Sequence, residues 1–363
     1  MPEPVAFDAG QATAQPTGVG IYVRELARSL KALGTVNLRV IGARADGPLA
    51  DDAATTMRRD RHLAWIVRDA DRDARESGAR LTHYTNAVAP PRTSMPFVLT
   101  IQDLSLIRFP HYHPAQRLAV IPFMAWAAQR ARRVITPSRA TADEIRRLLR
   151  VSPARLSVVE LAPVPSEVPT DAERASVLRE LSLDDRRFLL CLGTLEPRKN
   201  VVNAVRAFET LVVAEPDLLL VLAGGRGWRT GSIDRAIRES SSADRIVRVG
   251  YVDDLTRRAL LDACVAFVYV SLYEGYGLPI VEAMAAGAPV VTSNVSSMPE
   301  AASDAAVLVD PRDVRSIADG IARALTDSEA LRNAGRRRAG QLSWERVARE
   351  TGEVYEAVAN RWV

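Results

Sequence analysis

Short apolar runs alternate with amphipathic helical stretches almost from one end of this 363-residue sequence to the other. The strand-like runs are residues 36–41, 97–101, 133–136, 188–192, 218–223, 246–249, 266–270 and 289–293. Between them lie helix-period segments at 21–33, 141–149, 201–213, 255–264 and 281–286. That alternation predicts an α/β fold of parallel sheets with crossover helices, the doubly wound class. It pauses at residues 161–169, where Pro163, Pro165 and Pro169 fall among few helix formers. A domain junction is expected there. The alternation then restarts, so the sequence predicts two Rossmann-like halves in series, a division that the length also favours. A last helix is expected over residues 344–359, capped by Ser343. Two such halves enclose a cleft with the carboxyl ends of their strands turned into it, where open α/β sheets bind ligands.

Bulk properties narrow the setting. At 47% hydrophobic and 25% charged residues the chain reads as a folded soluble protein. No apolar run approaches the roughly 18–20 residues that span a bilayer. The acidic and proline residues at the start do not read as a secretory signal. Cys191 and Cys264 lie in apolar segments, where buried free thiols are expected. A cytoplasmic location follows as the expectation. Charge is uneven: residues 1–165 carry 23 basic and 15 acidic residues, a net of +8, whereas residues 166–363 carry 25 and 29, a net of −4. The first half is thus suited to an anionic partner such as a membrane surface; a general preference for arginine is the alternative. Only Lys31 and Lys199 are lysines.

Chemistry concentrates in two strand-to-helix turns. The run 188–192 leads into Gly193-Thr194-Leu195-Glu196-Pro197-Arg198-Lys199-Asn200 and a helix. Gly193 allows a tight turn, and Asn200 is a good helix cap. Arg198 and Lys199 then arrive beside a helix N-terminus, where a guanidinium fork, an ammonium and free N–H groups together suit a diphosphate without a metal. The run 266–270 leads into Ser271-Leu272-Tyr273-Glu274-Gly275-Tyr276-Gly277-Leu278-Pro279-Ile280-Val281-Glu282. Gly275 and Gly277 let a ligand approach the backbone, Pro279 suits a first helical turn, and N–H groups near Gly277 and Leu278 point at phosphate. Glu274 and Glu282 can take vicinal hydroxyls of a sugar and a ribose.

These residues resemble the retaining glycosyltransferases of family 4, glycosyl transferases group 1, with the GT-B fold. The hallmark is the pair Glu274 and Glu282 within a Glu-Gly-Tyr-Gly-Leu-Pro run, followed by Ala-Met-Ala-Ala-Gly-Ala-Pro-Val-Val over residues 283–291. The resemblance covers nearly the whole chain. It implies an acceptor-binding domain over residues 1–164, a nucleotide-sugar-binding domain over 165–343, and a C-terminal helix over 344–363 that crosses back to the first domain. It implies a glycine loop over donor and acceptor, matched by Thr17-Gly18-Val19-Gly20, and a stretch at Gly250-Tyr251-Val252 whose backbone meets the nucleotide base. Where many relatives place an arginine after the glycine, Thr194 stands here, so the phosphates would rely on Arg198 and Lys199. Relatives read Thr-Ile-His-Asp-Leu where this chain has Thr100-Ile101-Gln102-Asp103-Leu104. The histidine hydrogen-bonds the donor sugar; Gln102 can donate and accept but cannot carry a proton charge. His111 and His113 follow nearby, with surface positions expected. The resemblance also implies a front-face reaction that retains configuration, with a mannose-like hexose from a donor such as GDP-mannose and a glycan or lipid-linked acceptor in cell-envelope synthesis. No cofactor, metal or nucleic acid is implied, and peripheral contact with an anionic membrane is.

Rival readings rest on identifiable residues. Asp69-Ala70-Asp71 and Asp71-Arg72-Asp73 spell the metal motif of the other glycosyltransferase fold, but they fall in the alternating-charge run 68–76, read here as a solvated helix face. A nucleotide-sugar epimerase shares the fold. A dinucleotide oxidoreductase would need a third glycine where Val23 stands. A periplasmic-type binding protein has no use for the Arg198–Lys199 pair. The segment 117–133, with Phe123 and Trp126 ahead of Arg130, Arg132 and Arg133, either packs on the first sheet or lies on a membrane.

Overall fold

The computed structural model describes residues 3–14, 17–57 and 62–359. Residues 360–363, within the segment expected to cross back, lie outside the described residues. Contacts divide the chain into two compact units. The first takes the chain up to Arg108, Ala115–Ala162 and the chain from Ser343; the second takes Phe109–Pro114 and Pro163–Leu342.

The first unit holds a six-stranded parallel sheet of β1 (Pro4–Asp8), β2 (Asn37–Ile41), β3 (Leu81–Tyr84), β4 (Phe97–Thr100), β5 (Arg133–Thr136) and β6 (Leu156–Val158), in the order β2-β1-β3-β4-β5-β6. The second holds β7 (Arg187–Leu192), β8 (Leu218–Ala223), β9 (Ile246–Gly250), β10 (Ala266–Tyr269), β11 (Val290–Ser293) and β12 (Val307–Val309), in the order β12-β11-β10-β7-β8-β9. Its strands are parallel as well. The inner strands of that sheet are buried on both faces, which is why they read as unbroken apolar runs rather than alternating ones. The order reverses direction between β7 and β10, and a crevice opens at the carboxyl ends of strands at such a switch point.

In the first unit the Gly18–Leu33 helix starts at the glycine loop, three residues earlier than periodicity places it, and ends on Gly34 at φ +64°. The Trp344–Ala359 helix packs on it within the same unit, burying Val347, Val354, Tyr355 and Val358. Ser343 Oγ accepts the Arg346 N–H at 3.1 Å and caps this helix. A buried polar chain ties these elements together. Tyr22 OH lies 2.9 Å from Thr100 Oγ1, His83 Nε2 lies 2.7 Å from the same hydroxyl, and His83 Nδ1 lies 2.7 Å from Tyr355 OH. Burial pushes the His83 imidazole down to about 3, against the smaller opposing pull of Asp8, so it is neutral at physiological pH.

Of two open points about charged or amphipathic segments, one expectation changes and the other is decided for packing on the sheet. The run 68–76 is not one solvated helix: helices His62–Arg68 and Ala70–Glu76 meet at Asp69, and Asp73 is buried, accepting the Trp65 Nε1–H at 2.9 Å. Asp71 is held by Arg75 at 3.1 Å, so these aspartates serve local pairing. The segment 117–133 packs on the first sheet through the Ile121–Arg130 helix, which buries Met124, Ala127 and Ala128 while Phe123 stays 37% exposed.

Candidate active site

The turn after β7 is shaped by two glycines. Gly193 has φ +136° and Gly224, after β8, has φ +143°. A Cβ on Gly224 would lie 2.0 Å from the Gly193 carbonyl oxygen, so the two turns touch only because Gly224 carries no side chain. Past the strands the turns stay bonded, through Gly193 N–H to Ala223 O at 2.9 Å and Leu195 N–H to Gly225 O at 3.0 Å. Pro197–Lys199 then forms a 3₁₀ turn that brings Arg198 and Lys199 over the end of β10. Asn200 acts differently from the expected cap. It sits at φ +58°, and its Nδ2 donates to Val270 O at 3.0 Å and Pro311 O at 2.6 Å, tying the turn to β10 and to the loop after β12.

Glu274 is buried after β10 between both cations. Its Oε2 accepts Arg198 Nη1 at 2.7 Å and its Oε1 accepts Lys199 Nζ at 2.7 Å. Arg198 also donates to Tyr273 O at 2.7 Å and to Glu196 Oε1 at 2.6 Å. Burial alone would push the Glu274 carboxyl up; Arg198 and Lys199 outweigh it and hold the carboxyl down at about 2. Burial pulls the Lys199 ammonium below its ordinary value, and Glu274 opposes this. The Glu274–Tyr276 backbone is pinned in turn: Ser297 Oγ donates to Glu274 O and Tyr276 O, each at 2.9 Å, and Ser296 Oγ to Glu274 O at 2.5 Å.

Gly277, at φ +107°, starts the Leu278–Ala286 helix, with Pro279 in its first turn and no side-chain cap. Ile280 N–H donates to Gly277 O at 2.8 Å and Pro279 has no N–H, which leaves the N–H groups of Gly277 and Leu278 as the ones suited to an anion at this helix start. Glu282, one turn in, is buried in a separate pair, accepting Arg257 Nη1 at 2.7 Å. Burial raises its carboxyl and Arg257 opposes that rise. Thr194 is exposed, and Tyr251 after β9 is 59% exposed with Val252 half-buried beside it. Gly224 N–H donates to Gly250 O at 2.6 Å, which keeps the Tyr251–Val252 turn beside the β7 and β8 turns.

The structure therefore brings Arg198, Lys199 and Glu274 into one cluster, with Gly275, Tyr276, Gly277 and Leu278 continuing directly from it. Gly18, Gly20, Gln102 and Asp103 belong to the first unit. There Gln102 follows β4 half-buried, with its Nε2 buried and unpartnered among the described residues. Asp103 caps the short Ser105–Arg108 helix, accepting the Ser105 N–H at 2.8 Å. His111 is exposed, but His113 is buried against Trp228 rather than on the surface, with ring centroids 5.8 Å apart. Glu196, Arg257, Ser296 and Ser297 escaped sequence reasoning. Only Glu196, inside the motif itself, left a signal there.

Two Rossmann-type units in one chain, one with the Arg198–Lys199–Glu274 cluster at its switch point, define the GT-B class. Residues 175–340 match the family described as "Glycosyl transferases group 1", and residues 16–161 match "Glycosyltransferase Family 4". The chain is 33% identical over 302 residues to O-antigen chain mannosyltransferase B of Escherichia coli, covering 82% of this chain and 77% of that one. In structure it is similar to sucrose-phosphate synthase from Thermosynechococcus elongatus, with TM-score 0.76, 22% identity, and 99% and 100% of the two chains covered. It is similar as well to WaaG, a glycosyltransferase involved in lipopolysaccharide biosynthesis, with TM-score 0.76, 15% identity, and 96% and 99% covered. The chain belongs to the group 1 glycosyltransferases, family 4, and is a glycosyltransferase. That membership sets aside the epimerase, oxidoreductase and binding-protein readings.

Proposed function

We propose that the chain transfers a mannose-like hexose, with retention, from a nucleotide-diphosphate sugar to a glycan or lipid-linked acceptor in cell-envelope synthesis. The observation that carries the donor reading is the Arg198–Lys199–Glu274 cluster at the switch point of the second sheet. Arg198, Lys199 and the Leu278 helix N-terminus would stabilise the charge growing on the departing diphosphate, so the reaction needs no metal. Glu274 would exchange its cations for hydroxyls of the donor sugar, and Glu282 would take the ribose. Gln102, with its buried Nε2 short of a partner, would donate to the sugar where relatives use histidine. The likeness to an O-antigen mannosyltransferase supports mannose, hence GDP-mannose as donor. A cytoplasmic enzyme touching the anionic inner face of the membrane would meet lipid-linked acceptors. No helix among the described residues is long and apolar enough to cross that membrane.

Thermal-shift titration with GDP, UDP, ADP and dTDP, with and without EDTA, tests the donor site. A nucleotide at about 100 times its dissociation constant stabilises by roughly 2.7 kcal/mol, or a few degrees. GDP is expected to shift the wild type with or without EDTA and to leave Lys199→Ala unshifted. A shift that requires metal, or persists in Lys199→Ala, overturns the site. Anomeric NMR of the product formed from GDP-mannose decides sugar and stereochemistry.

A further inference from the structure

A cavity of about 580 Å³ opens at the amino ends of β4 and β5 in the first unit, where Phe97 and Arg133 begin their strands. The Gln102 turn follows the opposite, carboxyl end of β4. Four arginines line this cavity, Arg130, Arg132, Arg133 and Arg155, and among the described residues no carboxylate does. Met95 and Trp126 supply apolar wall.

Several arginines elsewhere pair with acids: Arg72 with Asp69, Arg75 with Asp71, and Arg174 with Asp171. Among the described residues, Arg130, Arg133 and Arg155 have no such ion pair. Two of them are instead held in place by main chain. Arg133 Nη1 donates to Ala154 O at 2.7 Å, and Arg155 Nη1 donates to Gln129 O at 2.8 Å and Ala131 O at 3.0 Å. Carbonyls orient a guanidinium without neutralising it, and each arginine has five N–H donors to place. Arg130 lies 6.0 Å from the centre of the Trp126 ring, a third cation held by an uncharged partner. Asp71, which accepts the N–H of Ser94 on the rim, is itself engaged by Arg75. Fixed cations without counter-charge, beside an apolar wall, match a ligand that has a phosphate on an apolar stem.

We propose that this cavity binds the phosphate of an anionic ligand, a phosphodiester or phosphomonoester headgroup, at a site separate from the nucleotide site. The proposal deepens the membrane part of the reading above and rests on it only for the source of the phosphate. The donor cluster belongs to the other unit and plays no part in it.

The test uses the full chain, wild type and two variants. Arg130→Ser removes a charge that clamps no described carbonyl; Arg133→Lys keeps the charge and serves as the conservative variant. Co-sedimentation with phosphatidylglycerol–phosphatidylcholine vesicles is compared with phosphatidylcholine alone, and inorganic phosphate is titrated by thermal shift. Each surface cation adds about fivefold to partitioning on an anionic membrane. Arg130→Ser is expected to lose about that factor and Arg133→Lys to keep most of it. If vesicles do not bind but phosphate stabilises the wild type and not Arg130→Ser, the site stands with free phosphate as its source. If neither probe binds, or Arg130→Ser binds both as the wild type does, the proposal is overturned. A nucleotide shift, measured on the same samples, is expected to be equal in all three proteins. Its loss from the wild type would count against the donor reading and leave this site to be judged on vesicles and phosphate.

Discussion

Glu274 occupies both cations of the β7 turn at once: Lys199 Nζ lies 2.7 Å from its Oε1, and Arg198 Nη1 lies 2.7 Å from its Oε2. A carboxylate so placed fills, in charge and in hydrogen bonds, the part that donor phosphates would take. Removing its charge while keeping its shape separates two roles. Glu274→Gln is expected to bind nucleoside diphosphate about 3–10 times more tightly, because the competing anion is gone. Sugar transfer is expected to fall by about 10²–10³, because the carboxylate no longer meets the sugar in the transition state. Isothermal titration with GDP and a transfer assay read the two effects. A variant that binds GDP more weakly than wild type would sink the idea that Glu274 stands in for the phosphates.

Glu282 and Arg257 make the second test, because a buried charge is worth most when its partner is removed. The side chains are 8% and 12% exposed and meet at 2.7 Å. Arg257→Ala leaves the carboxylate unpaired and is expected to cost about 3–5 kcal/mol. Burial already raises the Glu282 carboxyl, and losing Arg257 raises it further. An acid whose folded pKa lies above its unfolded value stabilises most at low pH and loses that contribution as pH rises through the folded value. Arg257→Ala is therefore expected to be less stable at pH 8 than at pH 5, because the unfolded carboxyl gives up its proton first as pH rises from its ordinary value. Adding Glu282→Gln removes that pH difference. Urea unfolding at the two pH values measures it; a double variant that keeps the slope places its origin elsewhere.

The two central turns are legible in the sequence because a parallel sheet concentrates chemistry at its strand ends, and Gly193–Asn200 and Glu274–Glu282 each follow an unmistakable apolar run. The same rule hides other strands. β1 holds a proline and an aspartate, β3 reads Leu-Thr-His-Tyr, and β6 and β12 are three residues each, too short for any period to register. His83 is polar in the sequence yet fully buried, because its partners Thr100 and Tyr355 stand 17 and 272 residues away. Asp73 misleads for the same reason, since its indole partner lies on the preceding helix. Asn200 is legible as the residue that ends its turn, but not in what it does there. A cap is a local motif, whereas its real acceptors, Val270 O and Pro311 O, come from distant loops.

Gln102 carries a prediction about proton charge. Its Nε2 is buried without a partner among the described residues, so a donor hydroxyl or phosphate oxygen could complete it. Gln102→His installs the residue that the family resemblance implies at this position and adds a group that titrates near pH 6.5. The variant is expected to remain active and to gain an inflection in its pH–rate profile between about pH 5.5 and 7.5 that the wild type lacks. Identical profiles would mean that position 102 does not meet the donor.

Acid stability should separate the two units, because each holds a perturbed group with its own window. In the first, burial pushes His83 from 6.5 down to about 3. A base with a depressed folded pKa contributes stability that is complete above its unfolded value and is lost as pH falls, since the unfolded chain takes up the proton first. At pH 4 the gap of about 2.5 pH units below the unfolded value amounts to ~3 kcal/mol. In the second unit, Glu274 is held at about 2 against an ordinary 4.5, so its contribution is complete above pH 4.5 and fades only below it. Between pH 7 and 5 the loss of stability is therefore expected to come from His83 and not from Glu274. His83→Gln, which keeps hydrogen-bonding atoms for Thr100 and Tyr355 but cannot be protonated, should be less stable than wild type at pH 7 and flatter with pH below it. Glu274→Gln should keep the wild-type slope from pH 7 to 5 and differ only in more acid solution. Denaturant unfolding of the three proteins at pH 7, 6 and 5 decides. A His83→Gln slope equal to the wild type's would mean that the imidazole takes up its proton in the fold at the same pH as in the unfolded chain.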